Sequence, residues 1–166
     1  MKKTFLLLLG LAMLFNASAQ NDTIQPPYKK VPFYPPVKLL MTDSVTFYTK
    51  AELPKNKPVL LIVFNPECDH CQHETEAIVQ NIDKFKNVHI VMASFVPLTE
   101  ISKFREKYKL GNYKNIVLGQ DTHYFLLSFY QGHSLPYLAF YNKKKGLIST
   151  FEGSMPIEKV LEEIKK

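Results

Sequence analysis

Val59 to Phe64 reads VLLIVF, six apolar residues with no polar break. A strand with no polar side has nothing to offer water, so it belongs inside a sheet that is covered on both faces. The run therefore predicts an α/β chain, a sheet with helices packed against it. The residues after the run narrow the reading. Phe64–Glu74 is FNPECDHCQHE and carries both cysteines of the chain, Cys68 and Cys71, with His70 between them and His73 beyond. Cys71, Thr75, Ile78, Ile82 and Phe85 then recur at spacings of four, three, four and three, one face of a helix. The pair sits where a buried strand gives way to a helix.

The rest of the chain alternates in the same way. Val37–Met41 and Ser44–Tyr48 are short strand candidates, and Lys55-Asn56-Lys57-Pro58 breaks the chain before the apolar run. Asn87–Phe95 predicts a second buried strand. Thr99 is placed to cap a helix with Ile101, Phe104 and Tyr108 on its apolar face, and Gly111 to stop it. Ile116–Leu118 is a short strand, Asp121 an N-cap for an aromatic-rich helix over Thr122–Tyr130, and Gly132 its end. Tyr137–Tyr141 and Leu147–Phe151 pair as a hairpin across a KKKG turn. Ser154 caps a last helix, with Pro156 in its first turn and Ile157, Val160, Leu161 and Ile164 as its stripe. From the apolar run onward the predicted order is β-α-β-α-(β-α)-β-β-α.

The N-terminal residues read as a leader. A positive start (MKK), an apolar run over Phe5–Phe15 and the small-residue trio Ala17-Ser18-Ala19 have the layout of a secretory signal peptide. The run is shorter than the roughly 20 apolar residues a membrane span needs. Residues 1–19 are expected to be removed, leaving Gln20 as the mature N-terminus of an exported protein, with the periplasm as its expected location. Loss of 19 of the 166 residues leaves 147, enough for one domain with a proper core. The mature charge is then +4, from 19 basic and 15 acidic side chains. The lysines are scattered, and the densest run, Lys143–Lys145, precedes Gly146 and reads as a solvated turn. No nucleic acid or membrane surface is expected as a partner. Residues 20–36 are dotted with prolines and predict an extended arm or linker ahead of a domain over 37–166.

Two cysteines spaced this way suit a structural disulfide, a metal site, a haem anchor or a redox pair. Disulfides persist in exported proteins, but a bridge between Cys68 and Cys71 closes almost no loop and constrains little of the unfolded chain. Haem attachment wants histidine directly after the second cysteine, and Gln72 stands there. Cys68, His70, Cys71 and His73 are all zinc-ligand types, yet four ligands at one helix start cannot surround an ion, and structural zinc sites bring two separated pairs. No metal site and no cofactor are expected. At a helix N-terminus the first thiol meets unpaired N–H groups and the positive end of the dipole, and both stabilise the reactive thiolate. Cys68 is thus the candidate nucleophile, and Cys71, one turn inside, the candidate resolving thiol. Two readings remain at this point. One is a thiol–disulfide oxidoreductase; the other is a redox-inert binding or adaptor module, with metal carriage left open.

The buried strand VLLIVF, the CDHC helix and a hairpin entered through Leu-Pro (SLPYLAFY…LISTFEG) resemble the thioredoxin-like superfamily. The extra strand and helix over about 114–130 resemble the insertion of exported TlpA/ResA-type thiol–disulfide oxidoreductases. The resemblance spans 37–166 and implies a three-layer α/β fold, a mixed central sheet with flanking helices and that strand–helix insertion. It implies a cis Pro136 facing the cysteines, with Leu135 pairing its backbone with bound substrate. It also implies that Glu74 tunes the pair, as an acid does in ResA-like proteins. The implied partners are thiol- or disulfide-containing exported proteins and a membrane thiol donor, and the implied direction is reduction. This chain departs from thioredoxin itself in three places. It has no tryptophan, with Glu67 standing before Cys68, and Ile62 replaces a buried acid. His70 replaces a proline, as in the disulfide-forming and isomerising relatives. A cationic imidazole there favours the Cys68 thiolate and raises the potential, while Glu67 opposes it and Glu74, four residues on, is placed to pair with His70.

Overall fold

The computed structural model describes residues 25–166; the leader at 1–19 and the first residues of the arm lie outside the described residues. The apolar run forms β3 (Val59–Val63), buried at every position and flanked on both sides by other strands. In chain order the strands are β1 (Leu39–Met41), β2 (Phe47–Tyr48), β3, β4 (His89–Ser94), β5 (Ile116–Gln120), β6 (Tyr137–Tyr141) and β7 (Leu147–Glu152). They make one mixed sheet in the order β2-β1-β5-β4-β3-β6-β7. β3, β4 and β5 run parallel; every other neighbouring pair is antiparallel. The helices are α1 (Pro27–Lys30), α2 (Asp69–Gln80), α3 (Leu98–Lys107), α4 (Phe125–Tyr130) and α5 (Ile157–Glu163).

Because strand side chains alternate, β3 feeds two cores. Leu60 and Ile62 point with Phe64 into a core closed by α2, α3 and α5 through Ile78, Phe104 and Val160. Val59, Leu61 and Val63 point the other way, into a core closed by α4 and the N-terminal segment through Leu126, Tyr130 and Tyr34. Each fully buried aliphatic or aromatic side chain contributes roughly 1.5–3 kcal/mol, so the sheet is held from both faces. Gly119 on β5 lets β1 approach, since a Cβ there would lie 2.9 Å from that of Leu39.

The second core explains the arm. Only the six-residue α4 covers that face, and the chain from Pro27 onward supplies the remainder. Instead of an extended arm, 27–30 form a helical turn whose Tyr28 packs on Tyr130. Phe33 bridges Gly146, Tyr34 donates its N–H to Lys145 O at 2.8 Å, and Tyr34 and Val37 are buried.

Several local signals resolve differently from the sequence expectation. Pro97, not Thr99, precedes the first residue of α3, and Lys109 in the left-handed region (φ 52) closes it before Gly111. Asp121 is buried and holds α4 from a distance, its carboxylate accepting from Leu126 N at 2.8 Å, so the helix starts at Phe125 rather than Thr122. Pro156 takes the place expected of Ser154 at the start of α5, and the Ser154 hydroxyl donates instead to His70 O at 3.1 Å. In the KKKG turn Lys143 and Lys144 are exposed, but Lys145 folds inward. Its Nζ donates to Pro54 O at 2.9 Å and Lys57 O at 2.6 Å, and burial lowers its pKa.

Candidate active site

β3 carries the chain through Phe64 and Asn65 to Cys68, the N-cap residue of α2, the longest helix of the described residues at 12 residues. The turn is locked locally: Asn65 O accepts from Cys68 N at 3.1 Å and Asn65 Oδ1 from Glu67 N at 2.9 Å. Cys68 is extended (φ −86, ψ 116), and its Sγ accepts the Cys71 N–H at 3.4 Å. The sulfur thus occupies the place that a serine or aspartate oxygen takes at an ordinary N-cap, where negative charge is favoured. Both cysteines are thiols; Cys68 is half-buried, while Cys71 is 1% exposed and belongs to the first core. Burial raises the pKa of Cys71, its hydrogen bond with Cys68 raises it further, and a backbone contact to Asn65 opposes both.

The loop before β6 completes the site. β6 runs antiparallel to β3 with Tyr137 opposite Val63, which sets the residues before it beside the cysteine turn. The Leu135–Pro136 peptide is cis, and the Cys68 thiol donates to Leu135 O at 3.7 Å. The loop is anchored by Glu152 on β7, whose Oε2 accepts the N–H groups of His133 at 2.8 Å and Ser134 at 2.9 Å. Val63, Leu126, Tyr130, Gly132, Leu135 and Tyr137 line a small apolar cleft beside this loop, with about 10 Å³ of free volume, room for no more than about one water molecule.

The charged neighbours divide. Glu67 and His70 are exposed beside Cys68, as is His73. Glu74 is not paired with His70. It is 2% exposed and reaches the loop before α5, where its Oε2 accepts from Met155 N at 2.8 Å while its Oε1 has no hydrogen-bond partner. Burial raises the pKa of this carboxyl, and the Met155 N–H partly opposes the rise. Gln72 is a positioning residue that the sequence pattern did not single out. Its Nε2 donates to Pro66 O at 2.8 Å and its Oε1 accepts from Lys107 Nζ at 3.0 Å, so it ties the cysteine turn to α3. Its place directly after Cys71 is the one signal the sequence offers for it. Glu152 gives no such signal, since nothing local to it points to the loop it anchors. Among the described residues no cluster of three or more His, Cys, Asp or Glu side chains is placed to hold a metal ion.

No family model and no curated protein matches the sequence. Solved structures do. The chain is similar to a secreted disulfide oxidoreductase of Mycobacterium tuberculosis homologous to E. coli DsbE, at 17% identity and a TM-score of 0.65, over 78% of this chain and 95% of that one. It is similar to the pneumococcal exposed lipoprotein thioredoxin of Streptococcus pneumoniae, at 23% identity and a TM-score of 0.60, over 77% and 96%. StoA from Bacillus subtilis matches at 19% identity and a TM-score of 0.56, over 80% and 98%. The fold is thioredoxin-like. Within this thioredoxin-like fold, β5 and α4 add a strand and a helix between β4 and the hairpin β6–β7. Ile62 is 1% exposed on the strand behind the cysteines, so β3 offers no acid to them. The buried carboxyl nearest in sequence to Cys71 is that of Glu74, three residues along α2.

Proposed function

We propose that the protein is an exported thiol–disulfide oxidoreductase that exchanges disulfides with exported substrate proteins through Cys68 and Cys71, working as a reductase recharged by a membrane thiol donor. The observation that carries the reading is the asymmetry of the pair: an accessible sulfur at a helix N-terminus, hydrogen-bonded by the Cys71 N–H, backed by a buried neutral thiol. The solved structures named above as a disulfide oxidoreductase and a thioredoxin support it.

In the reductive direction the Cys68 thiolate attacks one sulfur of the substrate disulfide. A Cys68–substrate bond forms, the substrate S–S bond breaks, and one substrate thiolate leaves. Cys71 then loses its proton and attacks Cys68 Sγ, which forms the Cys68–Cys71 disulfide and releases the second substrate thiolate. The pair is oxidised by two electrons and the substrate is reduced by two, its two sulfurs taking up protons. Leu135 O, 3.7 Å from Cys68 Sγ, is placed to pair with substrate backbone beside the reacting sulfur. Glu74, buried with one unpartnered oxygen and a raised pKa, serves as the proton acceptor for Cys71.

The test is reduction of insulin disulfides by dithiothreitol with catalytic amounts of the protein. The wild type should accelerate it and Cys68→Ser should not. A wild type no faster than Cys68→Ser would leave the redox-inert binding module as the reading. Direction is read from the potential of the pair and from its redox state in the exporting cell. A pair found reduced supports the reductase.

A further inference from the structure

The lysines that look scattered in the sequence are gathered by the fold at one end of the sheet. β3 and β4 run parallel with Val59 opposite His89, and β6 is antiparallel with Tyr141 opposite Val59. The loop before β3, the turn before β4 and the turn after β6 therefore share the end opposite Cys68, about 15 Å away along a five-residue strand. Lys55 and Lys57, Lys84, Lys143 and Lys144, and Lys165 from the C-terminus line one open groove there, with no acidic side chain among its lining residues. Two nearby acids are paired, Asp83 with Lys86 and Glu163 with Lys166, which leaves exposed Glu162 as the one unpaired acid beside the groove against these six lysines. The cysteine end is mixed instead, with exposed Glu67, Asp69 and Glu152 around it and Lys107 the one lysine tied to it.

We propose that this lysine end docks the protein on an anionic phospholipid surface, with the cysteine pair facing away. Three observations favour a bilayer. The cations come from four separate segments of the chain and spread over an end of the molecule, which suits a broad charged plane better than a compact ligand. They are all lysines, point charges that track a diffuse field of headgroups, whereas a built phosphate site draws on the forked guanidinium of arginine, and the single arginine of this chain, Arg105, lies on α3. Finally, the end carries apolar side chains of the kind that enter an interface. Phe33, 51% exposed, is bridged to Gly146 in the lysine turn, and Val31, 57% exposed, lies two residues before it.

Each lysine near an anionic surface raises partitioning about fivefold at low salt, so three removed together lower it by roughly 100-fold. The test is sedimentation of the full chain, purified as the cell processes it, with vesicles of phosphatidylcholine alone and of phosphatidylcholine with phosphatidylglycerol. Two triple variants of equal net charge are compared: Lys84→Ser with Lys143→Ser and Lys144→Ser at this end, and Lys38→Ser with Lys103→Ser and Lys159→Ser elsewhere. The wild type should gain binding from phosphatidylglycerol and lose that gain in high salt. The first triple should lose most of the gain and the second should keep it. Equal losses in both triples would reduce the effect to net charge and overturn the docking surface, as would a wild type that gains nothing from the anionic lipid. Tighter binding to a soluble linear polyanion than to the vesicles would overturn the bilayer as its occupant. Because none of these outcomes depends on the thiols, failure here leaves the redox reading untouched, and Cys68→Ser should bind the vesicles as the wild type does.

Discussion

Leaving one cysteine at a time turns the asymmetry of the pair into a rate. In Cys68→Ser the remaining thiol, Cys71, is 1% exposed and packed in the first core. In the intact pair its pKa is pushed up to about 12, chiefly by burial and then by its contact with Cys68. The substitution removes the second cause and leaves the first. At pH 8 a free thiol with a pKa near 8.5 is about one quarter thiolate, while one near 12 is ionised to about one part in 10⁴. At that pKa, ionisation alone therefore slows alkylation about 2,500-fold relative to a free thiol, and less once loss of the Cys68 contact lowers it. Restricted access adds to this. In Cys71→Ser the remaining thiol is the half-buried Cys68 at the helix start. Timed iodoacetamide labelling at pH 8, read by intact mass, should show Cys68 reacting at least about 100-fold faster than Cys71. Repeating the labelling in guanidinium should bring the two rates together, which ties the difference to the fold. Rates within tenfold in the native state, or a faster Cys71, would refute the assignment of nucleophile and resolving thiol.

The same assignment requires Cys71→Ser to accumulate mixed disulfides with exported proteins on non-reducing gels, and Cys68→Ser to accumulate none. His89 is buried against Tyr48, whose hydroxyl lies 2.7 Å from its Nε2, and burial, then Lys145 and Lys57, lowers its pKa from 6.5 to about 4. The unfolded chain binds a proton below 6.5 that the folded one refuses until about 4, so stability should fall across that window as pH drops, by up to about 3 kcal/mol. Urea melts of wild type and His89→Gln should show the slope in the first and its loss in the second. Glu74→Ala strips the Met155 N–H of its acceptor and should cost about 1–3 kcal/mol in urea melts. Glu74→Gln keeps that acceptor, so it should fold as well as the wild type but resolve mixed disulfides more slowly, with an altered pH profile. His70→Pro should lower the potential of the pair measured against glutathione; an unchanged potential would make His70 a bystander.

Elements with one dominant local cause were legible in the sequence. β3 has no polar residue to turn outward, and so its double burial could be read directly. The spacing of Cys71, Thr75 and Ile78 fixed the buried face of α2, and the hairpin followed from two apolar runs around a turn. The caps were not legible, because several residues compete for each helix start and only the tertiary structure decides between them. Ser154 satisfies every local rule for capping α5, yet its hydroxyl is drawn to the carbonyl of His70, 84 residues earlier. The arm misled for a related reason. Its prolines favour extended chain, but an uncovered sheet face offers more to Tyr28 and Tyr34 than solvent does. The spacing of Glu74 suggested a pairing with His70, and a burial that depends on the loop before α5 cannot be seen from α2 alone. The lysine end was equally hidden, because strand register, not sequence proximity, brings 55, 84, 143 and 165 together.

The direction of exchange turns on how the site treats the charge of the reduced pair. A strong oxidant needs its thiolate held far better than a free thiol would be, and the span from thioredoxin to such an oxidant is about 150 mV, or roughly 7 kcal/mol for two electrons. The stabilisation available to Cys68 here is the N-cap position with one N–H at 3.4 Å and an exposed imidazole two residues on, in the first turn of α2. An exposed charge acts through water and is screened at physiological salt. Glu74, turned inward onto Met155 N, does not neutralise His70. Lys107, the nearest lysine tied to the cysteine turn, is spent on Gln72 and is likewise exposed. Helix end, imidazole and lysine together supply a fraction of the required span, with Glu67 acting against them. The pair should therefore lie above thioredoxin in potential and below the strongest oxidants. A dithiol at that level gives its electrons only to disulfides of still higher potential, the strained or exposed ones, and as a reductase it turns over only while something keeps returning electrons to it.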